Sequence, residues 1–372
     1  MKKVLFLIPD LGVGGAEKVL VNLVNNMDKT KFDVTVLTIF NEGPNIGSLK
    51  KDVNYKFVFK KRFKGSTDIF KLFSPRFLYK WFVKGDYDIV VSYLEGPAAR
   101  VISGCNNPQT KLISWVHLEQ LTKRTGARSF RTYNEAKKCY NKFDLTVCVS
   151  QTVLENFVKL FDFKKPITVL YNTNETEQIF SKGQEPLDDP LFLQDEQTVK
   201  ICGIGKIMPR KGYDKIARIH KRLLDEGIKQ HVYILGKGPQ QAEIEQYLKA
   251  NKLEDSYTFL GYQQNLYKYV SKCDLFVCAS LSEGFSTAAT ESLVLGVPVV
   301  TTLVSGMTEM LGENNEYGII TDNNEEALYQ GIKKILTQPG LLEHYKKQAA
   351  IRGKNFSREK TVAAAEQMLL SL

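Results

Sequence analysis

The sequence predicts an α/β chain built as two doubly wound parallel-sheet domains that face each other across a central cleft. Three observations predict it. Short, continuously apolar runs rich in Val, Ile and Leu recur along the chain, as strands buried on both faces require. Amphipathic helical patterns such as "GAEKVLVNLVNNM" separate several of them, and that alternation gives a parallel sheet covered by helices. The pattern stops in a polar, acidic and irregular stretch at 172–198 and then starts again, and 372 residues are long for one domain and comfortable for two.

Taken in order, the first series of strands reads "KVLFLIP", "FDVTVLTIF", "YKFVF", "DIVVSYL", "KLISWVH", "LTVCVS" and "ITVLYN". The second reads "VKICGIG", "HVYILGKG", "YTFLGY", "LFVCAS", "PVVTT" and "GIIT". These series divide the chain into domains at 1–172 and 173–356, with 172–198 as linker and domain edge. The final "SREKTVAAAEQMLLSL", residues 357–372, reads as a capped amphipathic helix. No repeat of solenoid period and no low-complexity tract interrupts the pattern. Open sheets of this kind bind ligands beyond the carboxyl ends of their strands.

Composition narrows the class. A hydrophobic content of 43% and a charged content of 25% are ordinary for a globular protein, and no apolar run reaches the length of a spanning helix. The opening "MKKVLFLIPDLGVGG" has the two lysines and apolar run of a secretion signal, but the run is short and ends at Asp10 in a glycine turn, so it reads as a first strand. Cys105, Cys139, Cys148, Cys202, Cys273 and Cys278 show no CxxC spacing, and several lie in strand runs; reduced, buried thiols in a cytoplasm fit better than disulfides or zinc. The net charge of +10 is lopsided. Residues 1–170 hold 28 Lys and Arg against 15 Asp and Glu, while the remainder holds 23 against 26. The first half is therefore expected to face something anionic.

The most informative stretch is "SEGFSTAATESLVLGVPVVTT", Ser282 to Thr302, in which Glu283 and Glu291 stand eight positions apart. A strand ends near Ser280, Glu283 and Gly284 form the turn, Ser286 or Thr287 caps a helix, and Gly296 ends it. Backbone N–H groups of Phe285, Ser286 and Thr287 would then emerge from a helix N-terminus, an anion site suited to phosphate. A carboxylate on either side suits a ligand with hydroxyls on both sides of a diphosphate. Acids in a capped first or second turn also serve the helix dipole alone; the ordered succession of glycine turn, capped helix and "GVPVV" strand is what sets this pair apart.

A second element, "VKICGIGKIMPRKGYDK", runs from a strand through Gly205 to Lys206, Arg210 and Lys211, with the two lysines five apart across a loop containing Pro209. Two ammonium groups converging on a diphosphate would offset the charge of a departing one. The spacing is not that of a Walker loop, and a solvated basic loop is its plain alternative. A third, "YILGKGPQQAEIE", places Gly236 and Gly238 after another strand, where small residues permit close approach of a ligand. In the first half, Gly12, Gly14 and Gly15 mark a strand-to-helix turn, but Glu17 breaks the Gly-x-Gly-x-x-Gly spacing and no acid closes the second strand, which disfavours a dinucleotide site. His117 in "SWVHLEQ" stands at the carboxyl end of a strand; a lone histidine is more often structural, and its place on the cleft edge is what raises its interest. Asp86 and Asp88 form an Asp-x-Asp at the amino end of a strand, away from the expected cleft, and are read as turn acids. With four histidines and six cysteines in no metal spacing, no metal site is expected.

At these residues the chain resembles a family 4 glycosyltransferase of the GT-B fold, two Rossmann-like domains, over nearly its whole length. The resemblance rests on "GVGGAEKVL", "VHLE", "GIGKIMPRKG", "LGKGPQ", "SEGFSTAATESLVLGVPVVTT" and "SGMTEML". It implies transfer of a sugar from a nucleotide-diphosphate sugar with retention of configuration and no essential metal or other cofactor. It implies that Glu283 contacts donor-sugar hydroxyls, that Glu291 holds the ribose, and that Lys206, Lys211 and the amides of Phe285, Ser286 and Thr287 hold the diphosphate, with Gly205, Gly236 and Gly284 in the donor-site loops. His117 would lie close to the donor sugar, Gly14 and Gly15 on the phosphate or acceptor side, and the last helix would cross back onto the first domain. The departure is Lys206, where the family commonly has Arg; an ammonium is a point charge and not a bidentate fork. In the family's proposed mechanism the leaving phosphate takes the proton of the attacking hydroxyl.

The resemblance gives the first domain the acceptor and the second the donor. Residues 50–84 carry 11 Lys and Arg against Asp52 and Asp68, with ten aromatics among them. Two readings of this stretch stand side by side, docking on an anionic membrane surface and a core-facing helix with a basic solvent face. The cluster "LTKRTGARSFRTYNEAKK" at 121–138 suits a phosphate-bearing acceptor such as a polyprenyl-diphosphate-linked sugar or glycan. A UDP-sugar is the donor expected from its frequency in the family, and a cytoplasmic location, peripheral on the inner membrane face, follows from these partners. Two other classes compete, an inactive accessory subunit of the same fold and a nucleotide-sugar epimerase. The first would usually lose the acids or lysines, and the second would lack the paired glutamates. Nothing resembles a nucleic-acid-binding module.

Overall fold

The computed structural model describes residues 1–192, 195 and 197–372, so the part of the expected linker at Leu193, Gln194 and Glu196 lies outside the described residues. The chain forms two compact units, Met1–Thr173 with Arg358–Leu372, and Asn174–Ser357.

Unit 1 holds a seven-stranded sheet of β1 (Lys2–Ile8), β2 (Phe32–Phe40), β3 (Asn54–Phe59), β4 (Ile89–Ser92), β5 (Lys111–Val116), β6 (Leu145–Cys148) and β7 (Ile167–Val169). Its order is β3-β2-β1-β4-β5-β6-β7, and every pair is parallel. Unit 2 holds β8 (Val199–Ile204), β9 (Gln230–Leu235), β10 (Tyr257–Gly261), β11 (Leu275–Cys278), β12 (Val299–Thr302) and β13 (Ile319–Thr321), in the order β10-β9-β8-β11-β12-β13, again all parallel. The strands expected from the apolar runs are all present, and the fold class is α/β with two doubly wound sheets.

Burial on both faces explains the apolar runs. Val4, Leu5, Phe6, Leu7 and Ile8 of β1 are all buried, consecutive residues and not alternate ones. In unit 2, Ile201, Ile234, Val277 and Val300 from four strands pack with Ile216, Leu223, Leu328 and Ile332 from the covering helices. The two units share a device at the amino ends of their central strands. Asp88 Oδ2 accepts the Lys3 N–H at 2.7 Å, and Asp274 Oδ2 accepts the Lys200 N–H at 2.9 Å. Each aspartate returns its own N–H to the same partner's carbonyl. Asp88 is thus committed to holding β4 beside β1.

Three features depart from or sharpen the sequence reading. Helix Thr176–Gly183 lies inside the stretch expected to be irregular; it buries Ile179, and Ser271 Oγ donates to Gly183 O at 2.6 Å, so it is an integral part of unit 2. Helix Arg358–Leu370 belongs to unit 1, burying Val362, Ala365 and Leu369, with Lys2 Nζ donating to Leu369 O at 3.1 Å. The aromatic stretch is two short helices, Ser66–Leu72 and Pro75–Phe82, because Ser74 caps the second by accepting the Phe77 N–H and Pro75 takes the first helical position, where no N–H is needed. Both readings of this stretch find residues here. Phe70, Leu78 and Phe82 are buried, whereas Leu72, Phe77 and Trp81 are exposed. Arg100, 1% exposed, fastens it by donating to Phe70 O at 2.8 Å and Phe73 O at 2.7 Å while pairing with Glu135 at 2.9 Å. Arg131, one of the basic cluster at 121–138, is likewise bound to Leu72 O at 2.8 Å.

Candidate active site

The sheet of unit 2 changes winding direction between β8 and β11. At such a point the helices leave in opposite directions and a crevice opens beyond the strand ends. The loops that follow these two strands are zipped together. Leu281 N–H donates to Arg210 O at 2.8 Å, and Arg210 Nη1 donates to Ser282 O at 2.7 Å. Gly212, at φ 68°, lets the main chain pass Ala279, whose carbonyl oxygen would lie 2.2 Å from an added Cβ. Gly236, at φ 147°, does the same against Gly205 O, which would lie 2.0 Å from its Cβ. Any side chain at Gly236 would push the β9 loop off the β8 loop.

This zipper brings Lys211 to Glu283. The Lys211 ammonium lies 2.5 Å from Glu283 Oε1, and the Ser280 hydroxyl donates to the same oxygen at 2.6 Å. Ser280 is itself fixed, its carbonyl accepting the Thr302 hydroxyl at 2.7 Å. Among the described residues, both side-chain contacts of Glu283 fall on Oε1. Glu283, Gly284, Phe285 and Ser286 are buried at the strand end, and helix Thr287–Val294 follows. Ser286 is its cap, accepting the Ala289 N–H at 3.3 Å, so the first amides of the helix point out of its N-terminus. Glu291, 3% exposed, sits on the second turn and accepts the Tyr267 hydroxyl at 3.2 Å. Lys206 is exposed in the same β8 loop, and Thr287 opens the helix. Unit 2 thus gathers two carboxylates, two ammonium groups and a helix N-terminus at one switch point.

The sheet of unit 1 changes direction between β1 and β4. Gly14 caps helix Gly15–Asn26 there, so Gly15 is its first residue, and the Glu17 carboxylate lies over Gly14. Burial pushes the Glu17 carboxyl above its ordinary value, and the charge of Asp10 acts in the same direction. Asp10 is tied down, accepting the Gly12 N–H at 2.9 Å and pairing with Arg62. His117, 5% exposed, stands one residue past β5. Burial pulls its imidazole down to about 3, so the ring is neutral at physiological pH. Its Nε2 is buried with no hydrogen-bond partner among the described residues, and the Tyr93 ring lies 4.7 Å away at 50°.

Sequence reasoning missed Ser280, Tyr267, Glu17 and Glu95. Glu95 follows β4, and its Oε2 accepts the His117 N–H at 2.9 Å. A signal for it exists: "LEGP" after β4 repeats the strand-then-Glu-Gly pattern of "SEGF" after β11. Nothing in the local sequence singles out Tyr267, which reaches Glu291 across 24 positions.

The family described as glycosyltransferase family 4 matches residues 13–178, and that described as glycosyl transferases group 1 matches residues 188–352. An N-acetylgalactosamine-N,N'-diacetylbacillosaminyl-diphospho-undecaprenol 4-alpha-N-acetylgalactosaminyltransferase of Campylobacter jejuni is 34% identical over 62% of this chain, a match that spans 61% of that relative's length. An uncharacterized glycosyltransferase of Haemophilus influenzae is 22% identical over 97% of this chain and 98% of its own. Among solved structures, Anabaena Alr3699/HepE in complex with UDP and glucose shares the fold over 100% of both chains, with a TM-score of 0.78 at 17% identity. The two family matches meet near the boundary between the units and together span most of the chain, which belongs to the family 4, group 1 glycosyltransferases of the GT-B fold.

Proposed function

We propose that the protein is a retaining glycosyltransferase that moves a sugar from a nucleotide-diphosphate sugar, UDP being the expected carrier, to a lipid-diphosphate-linked or glycan acceptor in envelope glycoconjugate synthesis. The observation that carries this reading is the Lys211–Glu283 contact at 2.5 Å beside the capped N-terminus of helix Thr287–Val294. A diphosphate seated on the helix amides would meet Lys211 and Lys206, which offset the charge that grows as it leaves. Glu283, with Oε1 held by Lys211 and Ser280, has Oε2 to offer a sugar hydroxyl; Glu291 offers a carboxylate oxygen to the ribose. The loops around Gly205, Gly236 and Gly284 bring their main chain close to the ligand. In unit 1 we assign Gly14 and Gly15 to the phosphate or acceptor and His117 to the donor sugar, as the family resemblance implies.

In the step we propose, the acceptor oxygen bonds to the anomeric carbon on the face from which the diphosphate departs. The carbon–oxygen bond to the diphosphate breaks, and the acceptor's proton passes to a phosphate oxygen. Positioning and charge stabilisation supply the rate, with no protein nucleophile and no resident metal or other cofactor. The Campylobacter relative, named for a lipid-diphosphate acceptor, supports the acceptor class, and the transferase names of the relatives favour this reading over an accessory subunit or an epimerase. The exposed Leu72, Phe77 and Trp81 beside Lys80 and Lys84 support docking on an anionic membrane, where aromatic and basic side chains suit the interface, and a peripheral place on its inner face. No helix among the described residues is long and apolar enough to cross a membrane.

The test is transfer itself. Purified protein is offered UDP, GDP and ADP sugars with a polyprenyl-diphosphate-linked saccharide, in EDTA and in magnesium, and the anomeric configuration of the product is read by NMR. The reading predicts transfer from one nucleotide class, undiminished in EDTA, with configuration retained. Inversion, or transfer only with metal, would contradict it.

A further inference from the structure

The buried Nε2 of the His117 ring has no hydrogen-bond partner among the described residues. The ring's direction is set by its main chain and by the rings packed on it. The main-chain anchor and the nearer ring come from one short segment, while Trp115 of β5 stacks from further off at 6.4 Å. Ser92 of β4 stands opposite Ser114 of β5, so Glu95 and His117, each three residues further on, emerge at the same level of the sheet. Tyr93 lays its ring on the imidazole at 4.7 Å and on Trp115 at 5.0 Å. Glu95 then reaches across, its Oε2 accepting the His117 N–H at 2.9 Å, with the Leu118 N–H on the same carboxyl. These amides lie just past the last ladder residue of β5, where a strand leaves its main-chain donors to side chains or water.

We propose that Glu95 is a positioning residue for His117, pinning the turn after β5 so that the imidazole keeps the orientation its proposed role requires. The inference rests on the proposed role of His117 and adds a residue that the motif pattern does not contain. Burial raises the Glu95 carboxyl, the main-chain N–H groups of His117, Glu95 itself and Leu118 pull against it, and the Glu17 carboxylate adds to the rise, which is how a carboxyl held mainly by main-chain donors behaves.

The test is a double-mutant cycle on transfer rate with Glu95→Ala, His117→Ala and the pair, using the nucleotide sugar that serves as donor in the assay above. Glu95→Ala is expected to lower kcat about ten- to a hundredfold, the range of a lost positioning contact, with binding of the nucleoside diphosphate unchanged because unit 2 holds it. In the His117→Ala background the same change should cost less than about twofold, as coupled residues do. Glu95→Gln, which keeps an acceptor oxygen, should recover most of the rate. The imidazole proton shifts of His117, one of four histidines, should move in Glu95→Ala and stay in Glu95→Gln. If Glu95→Ala does not fold, Glu95→Asp, too short to reach the amide, takes its place in the cycle. A wild-type rate in that variant while His117→Ala is crippled would overturn this inference alone, as would an undiminished penalty in the His117→Ala background. A wild-type rate for His117→Ala would remove both this inference and the proposed role of the histidine.

Discussion

The two sheets change winding direction in the same way, between β1 and β4 in one unit and between β8 and β11 in the other, and hold those strands together with the same aspartate device. Their carboxyl ends carry opposite chemistry. Unit 2 presents Lys206, Lys211 and a helix N-terminus, with Glu283 held on Lys211 and Glu291 held by Tyr267. Unit 1 presents the carboxyl groups of Glu17 and Glu95 and a neutral, buried imidazole, and keeps its excess of positive charge elsewhere, over 50–84 and 121–138. On the proposed reading, one scaffold makes an anion seat in one unit and, in the other, a wall of carboxyl groups and imidazole beside a basic apron. The difference lies in a few loop residues, because the sheets only fix where loops begin.

If unit 2 stabilises the departing diphosphate, the largest loss follows from removing its charge. Lys211→Ala is expected to lower kcat/KM by about a hundred- to a thousandfold, as loss of a preorganised stabilising group does. It also strips Glu283 of its ion-pair partner, so its melting temperature is to be measured alongside; a loss of rate under tenfold would break the comparison. Glu291→Ala comes next. Loss of hydrogen bonds to a charged group costs about 1.5–3 kcal/mol, so nucleotide affinity should fall by about ten- to a hundredfold, and Tyr267→Phe should show a smaller loss of the same kind. Titration calorimetry with the nucleoside diphosphate measures both.

Histidines sharpen the contrast through pH. His117 is pulled by burial down to about 3, and His220 and His231 in unit 2, also by burial, down to about 4. Each folded-state value lies below the unfolded value near 6.5, so the unfolded chain binds the extra protons. Stability is full above about pH 6.5 and falls as pH drops towards 4. The His117 contribution is at most about 5 kcal/mol by linkage. His117→Gln should flatten the fall in melting temperature between pH 6.5 and 4, and an unchanged slope would show that its burial is not the cause. His220 and His231 bond Ser256 and Thr258 at 2.8 Å, so their depressed values belong to structure and not to a site. The smallest effect concerns the apron: Trp81→Ala with Lys80→Glu should weaken sedimentation with anionic vesicles severalfold while leaving soluble-acceptor kinetics unchanged. Unaltered sedimentation would remove the membrane reading.

What the sequence disclosed follows the range of the interactions. The strands were legible because burial on both faces writes itself as a continuous apolar run. The acids and capped turn of the unit 2 site were legible as a group because loop, cap and helix are contiguous from Ser282 to Glu291; Lys206 and Lys211 arrive from the end of β8, and Tyr267, from a separate segment, stayed hidden. Unit 1 was not legible in the same way, since Glu17, Glu95 and His117 come from three separate segments and only the β1-β4-β5 order sets them on neighbouring loops. Helix Thr176–Gly183 was hidden because its acidic, polar surface outweighs one buried apolar side chain, that of Ile179. The break at Ser74–Pro75 was written in the sequence, and the aromatic periodicity across it obscured the stop.

The most direct measurement is nucleotide-induced thermal stabilisation, in EDTA, of three proteins side by side: wild type, Glu291→Ala and His117→Ala. A ligand that binds only the folded state raises the melting temperature by mass action. The division of labour between the units predicts a clear rise with one nucleoside diphosphate for wild type and for His117→Ala, and its loss in Glu291→Ala. Stabilisation that survives in Glu291→Ala and disappears in His117→Ala would contradict it and place the nucleotide on unit 1.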